Sequence, residues 1–78
     1  MKEILLDFTA IKIDDVIYEV GDLVNFRSDF QNGTAFIEKM TTSGVVLRGE
    51  MVWSRWEQPM EPGNCIMGSY DLIKGKAL

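Results

Sequence analysis

The stretch from Ile17 to Met40, IYEVGDLVNFRSDFQNGTAFIEKM, limits the possible folds of this chain more than any other. An alternating apolar run meets a Gly-Asp corner, a second short run follows, a polar segment with Asn-Gly interrupts it, and a third run ends in charge. Alternation with period two, punctuated by glycine and aspartate, predicts strand, tight corner, strand, open loop and returning strand. This is the front half of a small, strongly bent β-barrel. Helix is the competing reading for the first twenty residues, but β-branched and aromatic side chains dominate there and no capping residue is evident.

The same reasoning extends in both directions. Residues 3–13, EILLDFTAIKI, carry Leu6, Phe8 and Ala10 on one parity and Ile11 and Ile13 on the other, so a single strand with a β-bulge near Ala10 or Ile11 is expected. Asp14-Asp15 reads as a turn, and Val16, Tyr18 and Val20 share one face of the next strand. Val24 and Phe26 face one way on the strand after the corner. Residues 28–34, SDFQNGT, are expected to form a loop that exposes Phe30. Residues 45–56 form the longest strand candidate, with Val45, Leu47, Met51 and Trp53 as its core row and Arg48, Glu50, Ser54 and Trp56 opposite. Both prolines lie in EQPMEPGN, residues 57–64, which predicts a second long loop. Cys65 to Met67 reads as a short strand, and Tyr70 to Ile73 as a helical turn or a closing strand. The tail GKAL reads as frayed or loosely docked.

Seventy-eight residues with 46% hydrophobic and 26% charged content suit one folded domain with one core. No apolar run approaches the roughly 20 residues of a membrane-spanning helix. MKEILLDF lacks the apolar region of a secretory signal, and the lone Cys65 cannot close an internal disulfide. An intracellular location is therefore expected, with Cys65 as a small buried apolar residue. Net charge is −4, and the excess lies in residues 1–25, where Lys2 and Lys12 face six acidic residues. Such a balance lacks the basic footprint of duplex binding, and Arg27, Lys39, Arg48 and Arg55 are scattered along the chain, which disfavours nucleic acid as a partner.

The chemistry of enzymes is sparse. The sequence contains no histidine, which removes triads, histidine metal sites and the commonest general base. One cysteine without histidine gives no zinc spacing, and Gly21, Gly33, Gly44 and Gly49 stand singly rather than as a phosphate cradle. The carboxylate pairs Asp14-Asp15 and Glu57 with Glu61 read as a turn and a solvated loop. Neither catalysis, metal nor cofactor is expected. What the pattern leaves outside the core is a set of aromatics, Phe30, Trp56 and Tyr70, which the two long loops would bring together, with Glu57 and Glu61 beside Trp56. Each aromatic could serve simply as a lid on the barrel. Together they could attract a cation through their ring quadrupoles, with the carboxylates adding full charge.

The order YEVGDLV, TAFIEKM, MVWSRWEQPME and CIMGSYDLIKGKAL resembles a shortened bromo-adjacent homology (BAH) domain over about residues 16–78, and the Gly-Asp corner is shared with Tudor-type and other SH3-like barrels. The resemblance implies an all-β, SH3-like barrel of five to six strands that binds histone tails or other chromatin proteins, in some members through an aromatic methyl-lysine cage. Arg55-Trp56 matches the family's arginine and cage tryptophan when one residue is gapped before Pro59, while the cage tyrosine falls at about Gly33. IYEVGDLVNF is also similar to the opening of small YopX-like phage proteins. The expectation is a non-catalytic module for a basic protein segment, cytoplasmic or nuclear, with Trp56, Phe30, Tyr70, Glu57 and Glu61 as its contact set. Its competitors are an acidic phage or prokaryotic regulator that covers the basic surface of a nucleic-acid-binding host protein, and a structural homodimer.

Overall fold

The computed structural model describes residues 3–4, 9–54, 56 and 58–77, with only the backbone of Glu3 and Ile4. The described residues form nine strands and one 3-10 turn: β1 (Glu3–Ile4), β2 (Ala10–Ile13), β3 (Val16–Glu19), β4 (Leu23–Arg27), β5 (Gln31–Met40), β6 (Val45–Ser54), β7 (Pro59–Met60), β8 (Cys65–Gly68), the 3-10 turn Tyr70–Leu72, and β9 (Ile73–Lys76). The first three make a sheet in the order β1-β2-β3. The other six make a second sheet in the order β7-β6-β5-β4-β9, with β8 pairing β6 beside β7. All pairings are antiparallel. The result is the small all-β, barrel-like fold expected from the sequence, with the helical turn and the closing strand both present near the end of the chain.

The long pair β5 and β6 bends twice. Ala35 opposes Gly49 while Thr34 opposes Met51, so Glu50 is an extra residue in β6. Ile37 opposes Leu47 while Lys39 opposes Val46, which makes Glu38 the extra residue in β5. Each bulge turns the strands and changes which parity faces inward. Val24, Phe26, Ala35, Ile37, Leu47 and Val52 line the inside of the six-stranded sheet, and Ile11, Ile13 and Tyr18 from the other sheet join the same core. Among the described residues no polar or charged residue is buried.

The Gly21-Asp22 corner joins the two sheets. Gly21, at φ 98°, donates its N–H to the Ile37 carbonyl, and the Asp22 carbonyl accepts from Ile37 in return. A carboxylate oxygen of Asp22 accepts the Glu19 N–H at 2.9 Å and meets the Lys76 ammonium at 3.0 Å. The corner is thereby tied to the last strand.

Several expectations change. Residues 3–13 are not one bulged strand, because β1 pairs back on β2 with Ile4 opposite Ile11; Leu6 and Phe8 lie outside the described residues. The loop at residues 28–34 is shorter than predicted, since β5 begins at Gln31 and takes in Asn32-Gly33. The glycine is needed there, but not for a turn: at φ 143° it lies so close to β6 that a Cβ would overlap the Met51 carbonyl oxygen. Met51 and Trp53 do not belong to the core row, because the extra residue Glu50 hands the inward position to Val52 and turns both outward. Cys65 is exposed, since alternation in β8 sends Ile66 inward instead. Pro59-Met60, within the proline loop, pairs at the edge of β6, where the missing proline N–H is harmless. The tail is docked through Gly75 and Lys76 of β9 and an Ala77 N–H to the Leu23 carbonyl.

Candidate functional site

Two serine turns meet at one end of the β5–β6 ladder. In the first, the Ser28 hydroxyl oxygen accepts the N–H groups of Phe30 and Gln31 at 3.4 and 3.2 Å, while the Ser28 N–H donates to the Gln31 carbonyl at 2.8 Å. In the second, the Ser54 hydroxyl oxygen accepts the N–H groups of Trp56 and Gln58 at 3.3 and 3.2 Å, and the Ser54 N–H donates to the Gln58 carbonyl at 2.8 Å. The sequences SDFQ and SRWEQ thus use one local device, a short hydroxyl bonded to the backbone ahead of it. In each turn the aromatic residue stands two places after the serine.

The register joins the turns. Gln31, which ends the first, is the cross-strand partner of Ser54, which begins the second. Phe30 and Trp56 are consequently carried at the same end of the barrel, 63% and 72% exposed. Asp29 is also exposed at this end, beside Phe30, whereas Glu61 is exposed after β7, which runs back along β6 away from Ser54, so the register does not bring it to the rim. Glu57 lies outside the described residues. The amide oxygen of Gln31 is buried and has no hydrogen-bond partner among the described residues, a local cost of about 1–3 kcal/mol at the junction.

Tyr70 leaves the predicted contact set. It is 6% exposed, and its hydroxyl donates to the Thr41 carbonyl in the turn between β5 and β6, at the opposite end of the ladder. Burial holds its phenol above the ordinary tyrosine value, against the smaller opposing effect of the Thr41 hydrogen bond.

Sequence reasoning missed Trp53 and Met51. Trp53 is 41% exposed between Asn32 of β5 and Pro59 of β7, and Met51, 61% exposed, lies two residues away on the same outer wall. The available signal was Gly49, because a glycine inside a strand often marks a bulge and a bulge inverts every assignment beyond it. Among the described residues no group of histidine, cysteine and carboxylate side chains could hold a metal ion. No helix of the described residues is long and apolar enough to cross a membrane. Compared with known proteins, the chain matches no family model, no curated protein and no solved structure.

Proposed function

We propose that the chain is a non-catalytic binding module that takes a basic protein segment across the rim formed by its two serine turns. The observation that carries this reading is the Gln31–Ser54 pair, which brings exposed Phe30 and Trp56 to one end together with the carboxylate of Asp29. Exposed aromatic faces give contact area and cation–π attraction, about 0.5–1 kcal/mol for an exposed ring, while carboxylates steer a cationic partner and raise its association rate. The BAH-like resemblance points the same way and makes Trp56 one wall of an aromatic recess. Phe30 is the aromatic available opposite it, since the cage tyrosine's place is taken by Gly33 inside β5.

Lysine- and arginine-rich peptides, with and without methylated lysine, titrated by calorimetry against wild type, Trp56→Ala and Phe30→Ala, test the reading. Each substitution is expected to weaken binding roughly three- to tenfold, in line with the loss of one exposed cation–π contact and its area. Equal affinity of all three proteins removes the site. Binding confined to a folded, basic partner, with none to free peptides, favours the regulator that masks a nucleic-acid-binding surface.

A homodimer is the second reading, favoured by β3. Among the described residues this strand pairs only with β2, and Val16, Ile17 and Val20 are exposed on or beside it. An open edge next to apolar side chains is a template for a second copy. Sedimentation at two concentrations tests it, with Ile17→Lys expected to keep the chain monomeric.

A further inference from the structure

The geometry points to a second site, for single-stranded nucleic acid, on the outer wall of β4, β5 and β6. Arg27 opposes Asn32 and Asn32 opposes Trp53, so the three form one outward row across the sheet. The next row runs Asn25, Thr34, Met51. Directly opposed side chains of a sheet stand about 4.5–5.5 Å apart at Cβ, so these rows make a continuous surface. β9 pairs with β4 and adds Lys74 at the position where its register shifts, 47 residues along the chain from Arg27.

Beside these rows lies a depression of about 470 Å³ lined by Asn25, Phe26, Arg27, Asn32, Gly33 and Lys74. Two of its six lining residues are cationic and none is a carboxylate, although the whole chain carries a net charge of −4. The cations look scattered in sequence, and the β4–β9 pairing gathers two of them. Gly33 contributes open backbone because its place beside Met51 admits no side chain.

The chemistry selects the ligand. Arg27 and Lys74 offer donors to phosphate oxygens, and the exposed indole of Trp53 offers a ring for base stacking one strand away. Asn32 presents both a donor and an acceptor, and Asn25, whose side-chain N–H donates to the Lys76 carbonyl at 3.4 Å, adds its amide oxygen, which matches the mixed edges of bases and is half wasted on a carboxylate-rich peptide. Two cations, Arg27 on β4 and Lys74 on β9, are too few for the repeating phosphates of a duplex, whereas unstacked bases of a single strand reach the indole directly.

Labelled oligo-dT and oligo-U strands, the corresponding duplex and a poly-glutamate peptide, titrated at low salt with anisotropy as the readout, test the proposal. The single strands are expected to bind more tightly than duplex or peptide, with a log–log salt slope of about −1.4 for two phosphate contacts. Arg27→Gln and Lys74→Gln should each reduce that slope by about 0.7. Trp53→Ala should weaken strand binding roughly tenfold, the scale of one lost base stack, and Trp53→Phe should restore most of it. Circular dichroism of each variant checks the fold. No saturable strand binding by the wild-type protein overturns the proposal. So does strand binding that is unchanged in the Arg27→Gln Lys74→Gln double variant, or poly-glutamate binding as tight as that of the strands.

Discussion

The Tyr70 hydroxyl donates a 2.7 Å hydrogen bond to the carbonyl of Thr41, linking the 3-10 turn before the last strand to the turn between the two longest strands. Thr41 is itself the hinge of that turn: its hydroxyl accepts the N–H groups of Ser43 and Gly44 and donates to the Gly44 carbonyl. Tyr70 therefore closes the barrel rather than contacting a partner.

Tyr70→Phe should cost about 1–2 kcal/mol, because the ring still fills the core while the Thr41 carbonyl loses a part-buried donor. Tyr70→Ala should cost about 3–5 kcal/mol through the cavity it leaves. Urea unfolding gives both values. A phenylalanine variant as stable as wild type would show that the hydroxyl does not hold the turn. Since burial raises the phenol's pKa, the wild-type stability is fully present below the ordinary tyrosine value near 10 and is lost as pH rises through the folded value. Tyr70→Phe should remove that alkaline loss.

The extra residue at Glu50 makes opposite predictions for neighbours in sequence. Val52 is 3% exposed and Met51 is 61% exposed, the reverse of uninterrupted alternation from Val45. Val52→Ala should cost roughly 2 kcal/mol through lost burial and a cavity, while Met51→Ala should change stability by about 0.5 kcal/mol or less. Denaturant midpoints at equal m-value decide it. A larger cost at Met51 would place the strand in the unbulged register.

This pair also marks where the sequence stops being legible. Short strands bounded by clear turns could be read directly: Val24 and Phe26 face inward as their spacing demands, and Asp14-Asp15 makes the turn of the β2–β3 hairpin with both residues at positive φ. Period-two reasoning carries no error signal when one residue is inserted, so Met51 and Trp53 come out inverted and an outward tryptophan falls in the expected core row. Phe30 and Trp56 are legible as exposed, the first from its polar segment and the second from its place opposite the expected core row. Their meeting at Gln31–Ser54 is a long-range register that depends on the bulge, and the gathering of Arg27 with Lys74 depends on the pairing of β4 with β9.

Cys65 illustrates the same limit on a short strand and yields its own test. The thiol is exposed on β8, 3.8 Å from a Glu38 carboxylate oxygen, with Arg48 as its cross-strand partner. Native protein should react with an aromatic disulfide reagent at a rate within about tenfold of the urea-unfolded chain, since no opening of the fold is needed first. Cys65→Ser should change stability by about 0.5 kcal/mol or less. A thiol protected until global unfolding would return Cys65 to the core.

Acid should act first at the corner. The Asp22 carboxyl is held below the ordinary aspartate value chiefly by the Glu19 backbone N–H it accepts; burial is the next largest influence and opposes this, and the hydrogen bond and charge of Lys76 add to the lowering. A carboxyl depressed on folding contributes stability that is fully present above the unfolded value, about 4, and is lost as pH falls through the lower folded value. Asp22→Asn keeps an acceptor for Glu19 and removes the charge, so it should be less stable than wild type at neutral pH and converge with it as pH falls below about 4. Because Lys76 belongs to β9 and also lies 5.8 Å from the centre of the Tyr18 ring, the loss should loosen the last strand before the β5–β6 ladder. Amide exchange resolved along the chain checks this: exchange at residues 73–77 should quicken in wild type between neutral pH and pH about 3, after correction for the intrinsic rate, and should already be quick in Asp22→Asn at neutral pH. A stability difference between the two proteins that persists unchanged down to pH about 3 would mean that the Asp22 charge is not what anchors the strand.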